Sequence, residues 1–215
     1  MIRPIVAKGF HLSKLRVAGV VAFVLLAGCQ KNQLLVKRSI CPAVAVPNYT
    51  GDITMFANGG TAASDIDVVA AITNVRGVCD EAADRLGTAV TFDVLARRSS
   101  PVGARSVSLP FFVSFVQGGN LIVSKQVGAV TINFADGQIR AQTSAAAHAD
   151  VSRAAATMND AMQKKINRVR KPGDLDAATD PLADPEVKAA VRATTFEVLV
   201  GFQLSDDALA YNAAK

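Results

Sequence analysis

The sequence predicts a mainly β chain, an antiparallel sandwich of about eight strands with two or three short helices in its C-terminal third. Three observations carry this. Runs of roughly 5–12 residues rich in Val, Ile, Phe and Thr recur after residue 42, and Gly, Asp, Asn or Pro punctuates the gaps between them. Within a run apolar residues recur at every second position: Val90, Phe92, Val94 and Ala96 interleave with Thr91, Asp93, Leu95 and Arg97, of which only Leu95 is apolar. Near residue 158 the apolar spacing lengthens to that of a helix, and a last strand follows.

In chain order, Cys41-Pro42 to Pro47 opens the folded part with a short Val-Ala-Val strand between prolines. Thr50-Gly51-Asp52 signals a turn, and Ile53 to Phe56 is a second short strand. Asn58-Gly59-Gly60 is a break. Asp65 to Val78 is the first long strand, its continuous Val68 to Ile72 run suiting burial. Gly77 suggests a bulge or a strand end, and Asp80 to Gly87 reads as an acidic turn. Ser106 to Val116 is a strand that Pro110 assigns to an edge or a bulge. Gly118-Gly119-Asn120 is a hairpin turn from which Leu121 to Val127 pairs back. Val130, Ile132 and Phe134 alternate in the next strand. Asp136-Gly137 reads as a further hairpin turn, leading into Ile139 to Ala147.

Met158, Met162, Ile166 and Val169 fall at helical spacing, with Asn159 or Asp160 as cap and Pro172-Gly173 as stop. Asp184-Pro185-Glu186 combines a capping side chain, a proline at the first turn and an acid at the positive dipole end. Thr194 to Leu204 is the last strand. Phe196, Val198 and Val200 form one face, and Leu199 and Phe202 a second, so it should be central. Ser205 caps a terminal helix opened by Asp206 and Asp207.

An immunoglobulin- or fibronectin-like sandwich fits this pattern best, without the buried Trp of antibody-type domains and without support for their inter-sheet bridge. A lipocalin-like barrel is the runner-up.

The N-terminus has a separate organisation. A basic head with Arg3, Lys8, Lys14 and Arg16 precedes an apolar run, and only 12 uncharged residues separate Arg16 from Cys29. A membrane-spanning helix needs about 20, so the run fits the core of a secretory signal. Its end, Leu26-Ala27-Gly28-Cys29, resembles the lipobox of bacterial lipoproteins. That resemblance implies cleavage before Cys29, a thioether-linked diacylglycerol on Cys29 and a third, amide-linked acyl chain. Two chains already anchor stably. Gln30 in place of an aspartate favours the outer membrane over the inner, facing the periplasm. The order of segments beyond Cys29 is similar to small uncharacterised lipoproteins of alphaproteobacteria, which implies no activity. The expected organisation is therefore a signal peptide at 1–28, a tether at 29–40 and one sandwich domain at 41–215 carrying a helical insertion at 158–192.

Removing the signal takes four of the 23 Lys and Arg and none of the 18 Asp and Glu, leaving a net charge of +1 on 187 residues. That gives no warrant for nucleic-acid binding. Of the three cysteines, Cys41 and Cys79 remain as an even pair in an oxidising compartment. They form a disulfide, or else stand as two buried thiols.

No residue pattern names a reaction. His148 is the one histidine after the signal, and Gly-x-Ser-x-Gly and phosphate-loop motifs are missing. No cofactor or metal is expected. Asp174, Asp176, Asp180, Asp184 and Glu186 read as a solvated linker with helix caps, with a calcium site as the sharper alternative. Arg97-Arg98 reads as edge charges that discourage sheet association. Lys164, Lys165, Arg168, Arg170 and Lys171 are the candidate membrane or partner surface, whose helix would pack its apolar stripe on the sandwich. The expectation is a non-enzymatic, lipid-anchored binding or structural module, accessory to a membrane protein or envelope assembly. The alternative is a carrier of a small apolar ligand or lipid between the two layers.

Overall fold

The computed structural model describes residues Ser39–Lys215, apart from the side chain of Asn58. The expected signal, Cys29 and the tether up to residue 38 lie outside these residues. The strands are β1 Ala43–Ala45, β2 Asp52–Phe56, β3 Ile66–Glu81, β4 Arg85–Arg98, β5 Arg105–Gln117, β6 Leu121–Phe134, β7 Arg140–Ser152 and β8 Phe196–Phe202. The helices are α1 Arg153–Ala156, α2 Asp160–Asn167, α3 Pro185–Ala193 and α4 Asp206–Ala214. Two four-stranded sheets form, in the orders β1-β8-β5-β6 and β2-β3-β4-β7. They do not close into a barrel.

The chain lays down β2, β3 and β4 as a meander, crosses to make the β5–β6 hairpin, and returns to place β7 beside β4. It crosses again to place β8 beside β5. Such returns to an earlier strand are the Greek-key pattern. The Asp136-Gly137 turn therefore carries the chain from one sheet to the other and is not the hairpin turn expected. The reason lies in the inward faces. Val130, Ile132 and Phe134 fill the core from one side, and Ala145, Ala147 and Ala149 line it from the other.

Most of the core is period-two alternation made real. Val90, Phe92, Val94 and Ala96 on β4 face Val107, Leu109, Phe111, Val113 and Phe115 on β5. The Phe92 and Phe111 rings meet edge to face across the layers at 5.2 Å, worth about 0.5–1.5 kcal/mol beyond the area they bury. Phe202 falls in phase with Phe196, Val198 and Val200 on β8 and is fully buried, so it belongs to the inner face and not with Leu199.

Three strands depart from the sequence pattern. β3 runs on through Asp80 and Glu81, and the turn shrinks to residues 82–84. Asn74, at φ 51°, shifts the β3–β4 register and moves the inward set from Val68, Ala70 and Ile72 to Val75. β6 is one strand where two were expected. Its Gly128 stands opposite Phe111, and a Cβ there would come within 2.9 Å of that ring. β5 is internal to its sheet despite Pro110. The Pro110 carbonyl accepts from Gln203 N at 2.9 Å, just beyond the last β8 pair, Phe111↔Phe202. The proline nitrogen faces the same place, so it costs the sheet only the return bond to Gln203, just past the end of β8.

Caps fix the helices. Asn159 accepts from Met162 N at 2.9 Å, Asp184 from Glu186 N at 2.8 Å, and Ser205 from Ala208 N at 3.3 Å. From α4, the Asn212 side chain donates to the Tyr49 and Asp52 carbonyls at 2.9 and 2.8 Å, and Tyr211 meets Phe56 edge to face. The C-terminal helix is thereby fastened beside β2.

Candidate functional site

β1 pairs parallel to β8, so both begin at one end of the sandwich. Gln117 pairs with Phe196, which brings the Gly118–Asn120 turn to the same end. The β3–β4 turn is there too, because Cys79 is bonded to Cys41, just ahead of β1. α1 follows it: Arg153 N donates to Asp84 O at 3.0 Å, and Arg153 Nη1 to Ala82 O at 3.0 Å. Ser39 thus enters at the end that carries both tight turns and the start of the helical segment.

Cys41 and Cys79 form a disulfide with a Cα–Cα distance of 5.9 Å. It joins the lead-in of β1, on one sheet, to β3, on the other. Gly77 sits two residues from it, and a Cβ at that position would overlap the Val44 side chain. The bridge and the glycine together hold the first residues of the folded chain flat against the second sheet.

The five basic residues singled out by sequence lie on and just after α2. Three of them are paired with the acidic connector. Lys165 Nζ reaches Asp184 at 2.7 Å and Glu186 at 3.0 Å. Arg168 bonds Asp176, with Asp174 at 3.8 Å, and Arg170 reaches Asp176 at 3.3 Å. Hydrogen bonds from Lys165, and then the Glu186 amide, hold the Asp184 carboxyl below its usual range. The same carboxylate, with Glu186, raises Lys165. Lys164 and Lys171 are exposed and make no ion pair among the described residues. The apolar stripe does not settle fully into the sandwich. α2 lies beside α3, Met158, Met162 and Ile166 are half-buried, and Val169 is 62% exposed.

The connector acids serve as caps and ion-pair partners. Asp180 accepts from Leu182 N at 2.9 Å, and Asp174 from Lys171 N at 3.0 Å. Among the described residues no group of three or more His, Cys, Asp or Glu is arranged to hold a metal ion. His148 stands on the outer face of β7 with Asp150 at 3.1 Å.

Sequence reasoning missed two features. Arg98 is 2% exposed and is not an edge charge. Its guanidinium donates to the carbonyls of Gln138, Gly103, Pro101 and Ala135 at 2.7–2.9 Å, which clamps together the β4–β5 and β6–β7 loops, both of which cross between the sheets. The second is a shallow apolar trough of about 620 Å³ on the outer face of the β2-β3-β4-β7 sheet. Val69, Ala71 and Leu95 floor it, and Arg97 and Arg140 stand at its rim. Leu95 and Val69 were visible as the off-phase apolar residues of their strands.

Among the described residues the surface features brought together are an entry end fixed by the disulfide, a basic margin beside α2 and an open apolar sheet face. No protein-family model matches the chain, and no curated protein or solved structure matches it either.

Proposed function

We propose that this chain is a lipid-anchored, periplasm-facing binding or structural module of the bacterial envelope, accessory to a membrane protein or envelope assembly. The observation that carries it is Leu26-Ala27-Gly28-Cys29, closing an apolar run too short to span a membrane. The fold supports the reading in one respect. Cys41 lies only 12 residues after Cys29 and is bonded to Cys79, so an acylated Cys29 would hold the entry end towards the bilayer. Confinement of this kind raises the effective concentration of a domain for membrane partners. Gln30 directs the proposal to the outer membrane.

The sandwich belongs to the same proposal as an immunoglobulin- or fibronectin-like scaffold. It shares the Greek-key returns of that architecture, with a strand order of its own. A carrier role has one observation in its favour, the outer trough between Arg97 and Arg140, which suits an apolar chain with an anionic head. The space between the layers is taken by Phe92, Phe111, Phe115 and Phe202.

The deciding experiment is metabolic labelling with an alkyne palmitate in a Gram-negative host, with and without an inhibitor of lipoprotein signal peptidase. Label on the wild-type chain, loss of it in Cys29→Ser and accumulation of precursor under the inhibitor are expected. A wild-type chain that takes no label ends the anchoring proposal. Mass spectrometry of what co-purifies with the labelled protein then separates accessory from carrier.

A further inference from the structure

The two lateral sides of the sandwich are finished differently. On one side the edges are β1, with three residues, and β2, with five, and α4 is fastened beside β2. On the other side the edges are β6, with 14 residues, and β7, with 13. Long edges invite pairing with another strand and are normally blunted by lysine, proline or a bulge. β6 carries Lys125 and a register irregularity opposite Phe115 and Val116. β7 has none of the three. It pairs with β4 without a shift from Arg140 to Ser152, and Ala141 to Ala147 is an uncharged run of small and polar residues.

Which backbone groups of β7 are free follows from its flanks. The Ile139 carbonyl accepts from Arg98 N at 2.9 Å, and Arg153 N donates to Asp84 O at 3.0 Å. Odd-numbered residues therefore turn their backbone groups towards β4. Even-numbered residues, Arg140 to Asp150, turn theirs to the open side.

We propose that this edge is a self-association surface, on which two copies of the chain join by antiparallel β7–β7 pairing about a two-fold axis at Ala145. The sequence of the edge selects the occupant and the register. With Ala145 opposite itself, Arg140 of one copy stands opposite Asp150 of the other, twice by symmetry. Gln142 then faces His148, and Ser144 faces Ala146. All of these are even-numbered residues, so each pair can exchange both backbone bonds. Ala141 faces Ala149 and Thr143 faces Ala147, which keeps small residues together on the inner face. Sliding the register by one pleat puts Arg140 opposite His148 or Ser152 and loses the carboxylate. Opposite charges directly across an antiparallel pair are favourable and like charges are not. A dimer of this kind joins two four-stranded sheets into one of eight and removes the bare edge.

The test uses the mature chain purified in detergent, its mass read by light scattering corrected for bound detergent. A dimer is expected for the wild type. Arg140→Asp and Asp150→Arg should each fall to monomer mass, since each sets like charges opposite one another, and the double exchange should restore the dimer. In parallel, Ala145→Cys should cross-link to a dimer under mild oxidation with copper phenanthroline, well above Thr143→Cys and above Thr54→Cys on the opposite edge. A wild-type monomer at every concentration would overturn the proposal. So would a dimer indifferent to the single exchanges, failure of the double exchange to restore it, or equal cross-linking at Thr54 and Ala145.

Discussion

The guanidinium of Arg98 lies 5.3 Å from the ring centre of Phe134. Phe134 ends β6 just before the β6–β7 crossing, and Arg98 ends β4 just before the β4–β5 crossing. The planar fork that stacks on the ring also serves four loop carbonyls, a geometry that lysine cannot reproduce. Arg98→Lys should therefore destabilise nearly as much as Arg98→Met, by about 3 kcal/mol for the bonds lost and the carbonyls left unsatisfied. Urea unfolding midpoints measure this directly. A lysine variant close to wild type would mean that charge alone suffices.

Reduction of Cys41–Cys79 releases a loop with a sequence separation of 38. In the chain-entropy account, such a closure contributes about 4 kcal/mol. The Cys41→Ser/Cys79→Ser variant should lose an amount of that order. Because β1 is only three residues long, its amides should exchange first, with the β4–β5 core least affected. Uniform loss of protection across the sandwich would contradict the local part of this expectation.

Elements whose two faces meet different media were legible in the chain. Val90 to Ala96 declared its inner and outer sides because one side is core and the other solvent. The Asp184-Pro185-Glu186 start was equally plain, since capping is settled within a few residues. What escaped reading was set by distant partners. Arg98 looks like any surface arginine until two loops from elsewhere close over it. Asp136-Gly137 encodes a turn but not which sheet receives the next strand. The basic residues of α2 looked free because their acids arrive from a connector with no regular spacing. The disulfide was readable as an even pair of cysteines, but its role in joining the sheets was not.

Acid should loosen two carboxylate ties, one between the sheets and one within the β2-β3-β4-β7 sheet. Arg105 binds Asp67 through both oxygens at 2.7 and 2.6 Å, and this holds the carboxyl below its usual range. Asp93 is held low by hydrogen bonds from Ser144 and Asn74, which tie β7 and the β3 bulge to β4. A carboxyl depressed in the folded state contributes its stability above the unfolded value of about 3.9 and loses it as pH falls through the folded value. Wild-type stability should therefore fall below about pH 4 more steeply than that of Asp67→Asn or Asp93→Asn. Urea midpoints at pH 7, 4 and 3 give the slopes, and parallel slopes would count against both linkages.

If the basic margin near α2 meets an anionic bilayer, most of that contact should come from Lys164 and Lys171, since Lys165, Arg168 and Arg170 already face carboxylates. Each free lysine near an anionic surface contributes about 1 kcal/mol at low salt. Losing both therefore corresponds to roughly a thirtyfold drop in vesicle binding. The mature chain with Cys29→Ser isolates this term from the lipid anchor. Lys164→Gln/Lys171→Gln should weaken its binding to phosphatidylglycerol vesicles about as much as replacing all five basic residues. Neutralising Asp174 and Asp176 should strengthen it by freeing Arg168 and Arg170. A five-residue variant far weaker than the two-residue variant would show that the ion pairs open at the membrane, and that the connector acids are exchanged for lipid head groups on contact.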